Sequence, residues 1–547
     1  MSTPKLRIIP LGGLGEIGRN MLVFEYGEHL LVIDAGLMFP ANDMLGVDIV
    51  IPDMRYVVER AQQVRGIIVT HGHEDHVGAL PYLLDQVRAP VYATRLTRGL
   101  IEVKLRETRV QQADLRTITC QDTLELGPFQ VEFFHVSHSI PDGLGLGIRT
   151  PVGLVVHSGD FKFDHSPVDG HRTDFAKLAE LGGRGVLLLL SDSTNAEKAG
   201  YTPSEQVIGE TFARIFANAK GRVIVATFAS NISRVQQLIE TSQAYGRRVA
   251  IVGRNMVNNV RMARELGYLN VPEGVLFPVE QLDQFPPHQV TLICTGSQGE
   301  PTSALVRMSR GDLRSVEVVP GDTVVVSATP IPGNEELINR TLDNLFRLGA
   351  NVFYDEVLDV HVSGHASQEE QKLLINLLRP KYFVPIHGEF RHLVLHSKLA
   401  QQCGLSPEHI FVLETGDVLE LDSSGAEVVD HISDNYIFVD GLRVGDVGQS
   451  VLEERRVLSC NGFVVVVVVL DKYTGSLVGE PQIITRGFVH EEDAAELLAR
   501  MKEEVGRAVQ LGGTRSELAE RLQNTVGRLA FAETGRRPMV VPVVTKV

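Results

Sequence analysis

The sequence predicts an α/β protein in three parts: a strand-rich core that carries a histidine–aspartate cluster, an inserted domain of alternating strands and helices, and a small α+β module after them. Three observations predict this. Apolar runs of strand length repeatedly end in His or Asp, as in Val64–Val69 before His71 and Tyr382–Ile386 before His387. From about Pro203, helical stretches alternate with apolar strands, the pattern of a parallel-sheet domain. From about residue 461, strands and helices continue with no chemical motif among them.

The core is organised around His71-Gly72-His73-Glu74-Asp75-His76. A buried strand leads in, and Val77 to Leu84 reads as the start of a helix leading out. His71 and His73 stand at i and i+2, so an extended backbone puts both rings on one side. Asp75 and His76 follow at the turn into the helix. Three imidazoles and a carboxylate are too many costly polar groups for ordinary packing. They suit a transition-metal site with N and O ligands, most simply zinc, and offer ligands for two metals rather than one. The plain alternative is a solvated His-rich loop.

Composition bounds the rest. The chain has 547 residues, 44% hydrophobic and 22% charged, enough for two to four domains with sizeable cores. Cys120, Cys294, Cys403 and Cys460 are far apart and fit no zinc or disulfide pattern. The first twenty residues lack a signal-peptide pattern, and the longest apolar run, Phe463–Leu470, is far short of a bilayer helix. A soluble, cytoplasmic protein with no membrane partner is expected. The net charge of −16 argues against a nucleic-acid partner. Bound divalent cations would offset it in a cleft, and residues 205–350 are balanced, with 14 acids and 14 bases. Within them, Thr241 to Arg264 carries five arginines and no acid; a solvated helix face explains that run as well as a binding surface does.

Taken in order, Arg7–Leu11 is a strand. Gly12–Gly18 looks like a dinucleotide fingerprint, but Met21–Tyr26 reads as another strand rather than a helix, so a tight hairpin beside the metal cleft is predicted. Leu30–Ile33 delivers Asp34, which can orient a ligand histidine or simply sit in a turn. Asp43, Asp48 and Asp53 read as solvated loop residues. After the metal motif, strands and turns are expected as far as Phe129–His135. His138 then follows a strand and precedes turn residues, a good place for a third ligand, whereas His135 and His157 read as packed. Asp160 ends the strand Leu154–His157 and is placed to bridge two metals, since one carboxylate can join cations about 3.5–4 Å apart. Val186–Leu190 is the next strand. The insert alternates helices at Glu205–Ala219, Arg234–Tyr245 and Asn255–Leu266 with strands at Val223–Thr227, Val249–Val252, Thr291–Cys294, Thr323–Ser327 and Asn351–Tyr354. His361-Val362-Ser363-Gly364-His365-Ala366-Ser367 and the strand before His387 return to the core. Residues 425–460 read as a connector with short strands. The last part has strands at Phe463–Leu470, Gln482–Ile484 and Met539–Val544, with helices at Glu491–Val509 and Arg515–Ala530.

These residues together resemble a known family. The His71–His76 motif, His138, Asp160 and His387 match the metal set of the metallo-β-lactamase fold. A β-α domain between Asp160 and His387, 227 positions apart, resembles the β-CASP nucleases, and the His361–Ser367 stretch with the C-terminal module resembles bacterial ribonuclease J. The resemblance implies a four-layer αβ/βα sandwich in two parts, 1–203 and 356–424, a β-CASP domain at 204–355, a linker at 425–460 and a C-terminal domain at 461–547. It implies a ribonuclease of RNA maturation and decay, with 5′-to-3′ exonuclease and endonuclease activity and a preference for 5′-monophosphorylated single-stranded RNA. By position, His71, His73 and His138 would bind one zinc; Asp75, His76 and His387 would bind the other; Asp160 would bridge and Asp34 would stand behind. Mn2+ or Mg2+ are alternatives to Zn2+ in use. Asp192 matches the acidic β-CASP motif and His365 the motif histidine near the scissile phosphate. Ser230, Asn231 and Ile232, with His361, Val362, Ser363, Gly364 and His365, would hold substrate phosphates. Asp48 and Asp440 are candidates for a structural Ca2+. A homodimer or dimer of dimers and partners in an RNA-decay complex are implied.

The chemistry agrees with the resemblance. Water attacking phosphorus in line with the 3′-oxygen leaves a 5′-phosphate, and His365 is the candidate general acid for the departing oxygen. The competing readings are a small-molecule hydrolase of the same fold, another β-CASP nuclease acting on DNA or in eukaryotic-type RNA processing, and a non-enzymatic RNA scaffold. The first leaves the 227-position separation and His361–His365 unexplained; the intact ligand set argues against the last.

Overall fold

The computed structural model describes residues 4–547 apart from 42, 109, 111, 332–333, 442 and 491–493. The chain divides into two compact units. One comprises the chain up to Phe39 with Ile49–Ile437; the other comprises Pro40–Asp48 with Phe438–Val547.

The first unit contains two large sheets. One has eight strands, in the order Ala426–His431, Asp417–Leu421, Leu6–Gly12, Met21–Tyr26, His29–Ile33, Val64–Ile68, Val91–Ala93 and Leu115–Thr117. The other has six: Tyr382–Ile386, Val186–Asp192, Leu154–His157, Leu144–Arg149, Phe129–His135 and Thr123–Leu126. Alternate residues of both sheets fill one buried cluster: Ile8, Phe24 and Leu31 from the first meet Phe129, Leu146, Leu188 and Val384 from the second. The outer face of the six-stranded sheet is covered by the helices Phe175–Arg184, Gln368–Leu378 and Phe390–Gln402, through Leu178, Leu374 and Ala400. Helices outside two facing sheets give the layered sandwich expected of the metallo-β-lactamase fold.

The insert has its own five-stranded sheet, Arg248–Val252, Val290–Cys294, Val223–Ala226, Thr323–Val326 and Asn351–Phe353, parallel throughout. Its central strand, Val223–Ala226, is wholly buried, as a parallel strand with helices on both faces must be. The helices Gln206–Asn218, Ile232–Ala244 and Arg254–Glu265 lie within a residue or two of the predicted ones.

In the second unit Phe463–Leu470 is the middle strand between Gln482–Arg486 and Met539–Lys546. Its burial alternates strictly: Val464, Val466, Val468 and Leu470 pack on the helices Ala495–Gln510 and Arg515–Thr534. The predicted start of the first helix, 491–493, lies outside the described residues. No helix among the described residues is long and apolar enough to cross a membrane.

Several expectations are corrected. Arg95–Leu105 is a helix, not strand and turn: Leu96, Leu100, Ile101 and Leu105 fall on its buried face. The connector contains a helix, Gln449–Asn461, which buries none of its residues and so leaves no apolar period in the sequence. The helix leading out of the metal motif is two short pieces, Glu74–Val77 and Leu80–Leu84. Asp53 is buried rather than solvated, because the Arg55 guanidinium pairs with its carboxylate at 2.5 Å. The Gly12–Gly18 stretch does connect two antiparallel strands, as expected.

Candidate metal centre

Strand ends of both large sheets deliver side chains to one point. The strand Val64–Ile68 runs into Thr70 and the histidine motif, Leu154–His157 into Asp160, and Tyr382–Ile386 into His387. His71 Nε2 lies 3.0 Å from His73 Nδ1, and His138 Nε2 lies 3.1 Å from the same atom. Three ring nitrogens so close cannot all be satisfied by one another, and a cation between them resolves the clash. Burial pushes the His71 and His138 imidazoles well below their ordinary pKa and His73 down to about 4. They are therefore neutral, the form that ligates metal.

A second group adjoins the first. His387 Nε2 is 3.3 Å from Asp75 Oδ2 and 3.4 Å from Asp160 Oδ2; His76 Nε2 is 3.3 Å from the same Asp160 oxygen. That oxygen also lies 3.6 Å from His71 and 3.8 Å from His138, so Asp160 stands between the two groups. Burial opposes charge on His76 and His387, but the Asp160 carboxylate and its neighbours outweigh it and hold both pKa values well above the usual. Among the described residues, His71/His73/His138 and Asp75/His76/Asp160/His387 each bring ligand atoms within 4.8 Å of one another. The donor set fits two divalent cations of the zinc type.

Three of the histidines are held from behind. Asp34 Oδ2 accepts from His76 Nδ1 at 2.8 Å, while the Thr70 amide and hydroxyl bind the same carboxylate. Asp34 adopts a positive φ of 61°, a conformation uncommon for an aspartate. His138 Nδ1 donates to Gly364 O at 2.8 Å, which turns Nε2 inward. His387 Nδ1 donates to Thr194 Oγ1 at 2.7 Å, and that hydroxyl donates to Asp192 Oδ1. Thr194, Gly364 O and Asn20, whose side-chain amide reaches the Asp75 carbonyl, carry no local sequence signal for these tasks; they are distant in the chain from what they support.

His365 Nδ1 sits 2.8 Å from Asp192 Oδ2 and 4.0 Å from Asp160 Oδ2. Burial opposes ionisation of Asp192, but His365 and His387 hold its carboxyl below the usual range. The loop carrying His365 is braced: Asn195 Nδ2 donates to Ser363 Oγ and to His365 O. Gly364 has no room for a side chain, because an added Cβ would lie 2.6 Å from the His138 ring. Its absent side chain therefore makes way for a ligand. Val362 is buried. Burial, then the charges of Arg234, Lys198 and Lys162, depress the His361 pKa, and His361 Nδ1 meets Thr329 Oγ1 at 2.8 Å.

Asn231 caps the helix Ile232–Ala244 by accepting from the Arg234 amide, and Ile232 is buried. Arg234, itself buried, bonds Val360 O and Glu205, tying the Ser230–Ile232 turn to the segment that leads into His361. Asp48 and Asp440 lie in the second unit. Asp48 Oδ2 accepts from the Gly441 amide and Asp440 pairs with Arg455 at 2.6 Å. Neither belongs to a three-ligand cluster among the described residues.

Comparison with known proteins agrees with this geometry. Residues 14–196 match the metallo-beta-lactamase superfamily, 220–345 the ribonuclease J beta-CASP domain, 354–413 a Zn-dependent metallo-hydrolase RNA specificity domain, and 450–547 the ribonuclease J C-terminal domain. Ribonuclease J2 of Bacillus subtilis is 42% identical, covering 100% of this chain and 99% of its own length. Ribonuclease J of Thermus thermophilus is 42% identical over 98% of this chain and 95% of its own. Ribonuclease J of Synechocystis is 46% identical over 89% and 76%. A crystal structure of a protein of unknown function from Enterococcus faecalis shares the fold, with a TM-score of 0.53 at 15% identity over 76% of this chain and 100% of that one. The chain belongs to the ribonuclease J family and is a metal-dependent, RNA-binding ribonuclease.

Proposed function

We propose that the enzyme uses two zinc ions, or Mn2+ or Mg2+ in their place, to cleave single-stranded RNA in two modes. In one it removes nucleotides 5′ to 3′ from a 5′-monophosphorylated end; in the other it cuts internally. The observation that carries this reading is His365, hydrogen-bonded to Asp192 beside the Asp160 carboxylate that both ligand groups share. His71, His73 and His138 would hold one cation and Asp75, His76 and His387 the other, with Asp160 shared; bound there, such cations would supply positive charge to a phosphodiester and make water acidic enough to ionise near neutral pH.

The chain's own residues do the rest. Asp192 fixes the His365 ring by accepting from Nδ1. His365 gives that proton to the 3′-oxygen as the bond to phosphorus breaks, so the released end carries a 5′-phosphate. Ser230, Asn231, Ser363 and His361 bind the terminal phosphate through hydroxyl, amide and imidazole donors, a role supported by the Arg234 bond to Val360 O that ties the Ser230–Ile232 turn to the segment leading into His361. A terminal phosphate held at fixed distance from the reacting bond meters off one nucleotide at a time. Association as a dimer, or dimer of dimers, in the cytoplasm completes the reading. It is supported by the outer face of the C-terminal sheet, where Ile484, Val541 and Val543 are exposed.

Product analysis tests the proposal. A 5′-monophosphorylated RNA labelled along its length should yield 5′-mononucleotides, faster than the same RNA with a 5′-hydroxyl, and chelator should stop the release. Products bearing 3′-phosphates, or indifference to the 5′ group, would overturn it. A DNA strand of the same sequence cleaved as fast as RNA would favour the DNA-nuclease reading.

A further inference from the structure

The arginine run of the insert has no part in the chemistry above. Of its five arginines, Arg247 is buried and its guanidinium bonds the carbonyls of Gly221, Val290 and Ala219. Arg248 lies over the Phe285 ring at 4.7 Å. The other three, Arg254, Arg261 and Arg264, are exposed on the helix Arg254–Glu265, and among the described residues none is paired with an acid. Elsewhere the pattern differs: Arg98, Arg184 and Arg507 each bind a glutamate one turn away on their own helix.

At 100° per residue the three free arginines fall within an arc of about 80°. Met256, Val260 and Ala263 on the other side fill the insert's core. The arginine face spans about 15 Å along the axis. By the same count Val257 falls within the arc but is half-buried, so the face carries no exposed aromatic or large apolar anchor, and Glu265 at its far end is the only acid on the helix. The helix is fixed on two sides of the cleft. Asn259 Nδ2 donates to Ala229 O at 3.0 Å, next to the Ser230–Asn231 turn. Met262 and Leu266 pack so tightly on Gly99 that a Cβ there would lie 2.6 Å from the Met262 sulfur. Gly99 belongs to the helix Arg95–Leu105, which in turn packs Leu100 on Gly72 of the metal motif and pairs Lys104 with Glu74.

We infer that Arg254, Arg261 and Arg264 form a track for the sugar–phosphate backbone of single-stranded RNA beyond the nucleotides that occupy the cleft. The inference rests on the reading of the cleft as an RNA site and extends it to the downstream strand. Unpaired guanidinium groups on a chain of net charge −16 are suited to a polyanion, because phosphate binding releases the polyanion's counterions. A docked protein would be expected to use apolar anchors, which this face lacks.

Steady-state cleavage of a tetranucleotide and of an RNA of about 30 nucleotides, both 5′-monophosphorylated, tests it over a range of salt. In the Arg254→Gln/Arg261→Gln/Arg264→Gln protein, KM for the long RNA should rise about tenfold at low salt with kcat unchanged, and the tetranucleotide should be unaffected. The slope of log affinity against log salt should fall by about 2, since each single-strand phosphate contact contributes about 0.7. The corresponding triple Lys protein, which keeps the charge, should retain the wild-type slope. An unchanged KM and slope in the Gln protein, or an equal loss on both lengths, would overturn the track and leave an acidic protein as the partner to seek. Failure of the wild-type protein to cleave either RNA would instead overturn the reading of the cleft itself.

Discussion

At the scale of single residues, the account turns on which histidine does what. His365→Ala should keep its metal and still bind RNA, while cleavage falls by roughly 10²–10⁴-fold, the usual worth of a positioned acid. His387→Ala removes a ligand of the second group and should lose metal; metal analysis and single-turnover cleavage on the two proteins separate the roles. His396 gives a different prediction. It is fully buried, with Nδ1 on Ser193 Oγ at 3.0 Å and its ring against Phe383. Burial pushes its pKa down to about 3. The unfolded chain, with an ordinary histidine near 6.5, therefore takes up the proton first. The stability His396 contributes is whole above pH 6.5 and is lost as pH falls toward 3, at about 1.4 kcal/mol per unit. Denaturant titrations at pH 7 and pH 5 should show His396→Gln with a flatter acid limb than wild type; identical limbs would refute this. The clustering of these residues is legible in the sequence, because i, i+2 histidines and acids at strand ends are a local pattern. Asp192 and His365 are implied only by the family resemblance, and Thr194 and Gly364 O are not among the expected supports. Nothing near them in the chain reveals that they bind His387 and His138.

At the scale of elements, the sheet edges and turns set the geometry of the site. Gly36 follows the strand His29–Ile33 and lies against the Asp75 carbonyl, where an added Cβ would fall 1.5 Å away. Both partners are backbone, so neither can swing aside. Gly36→Ala should cost about 3 kcal/mol, the upper end of overpacking, and should weaken metal binding by displacing Asp75 and His76. Thermal unfolding and metal analysis check both; a fully loaded protein of wild-type stability would contradict the packing. The strands and helices of the insert were legible because strand and helix periods differ and alternate cleanly. The Arg95–Leu105 helix departs from the expected strand and turn, although the spacing of Leu96, Leu100, Ile101 and Leu105 is a regular helical period. Gln449–Asn461 could not be read that way, for it has no buried face.

At the scale of the whole molecule, the two large sheets bring residues 71 and 387 together, and the insert supplies a second wall. The C-terminal unit leaves one face of its sheet without a cover: Ile484, Val541 and Val543 are exposed, and Phe463, Val465, Val467 and Val469 are half-buried. If that face joins copies, light scattering at micromolar concentration should give a mass of twice 60.1 kDa or more, and Val541→Asp with Val543→Asp should return the monomer. A monomer in the wild-type protein would exclude dimerisation under those conditions. The central claim is that the seven ligands hold two divalent cations on which RNA cleavage depends. Elemental analysis and RNA cleavage on one preparation, before and after chelation, test it most directly. The account predicts two divalent ions per chain, loss of cleavage when they are removed, and recovery when Zn2+ or Mn2+ is returned; a metal-free protein that cleaves RNA at full rate in chelator would contradict it.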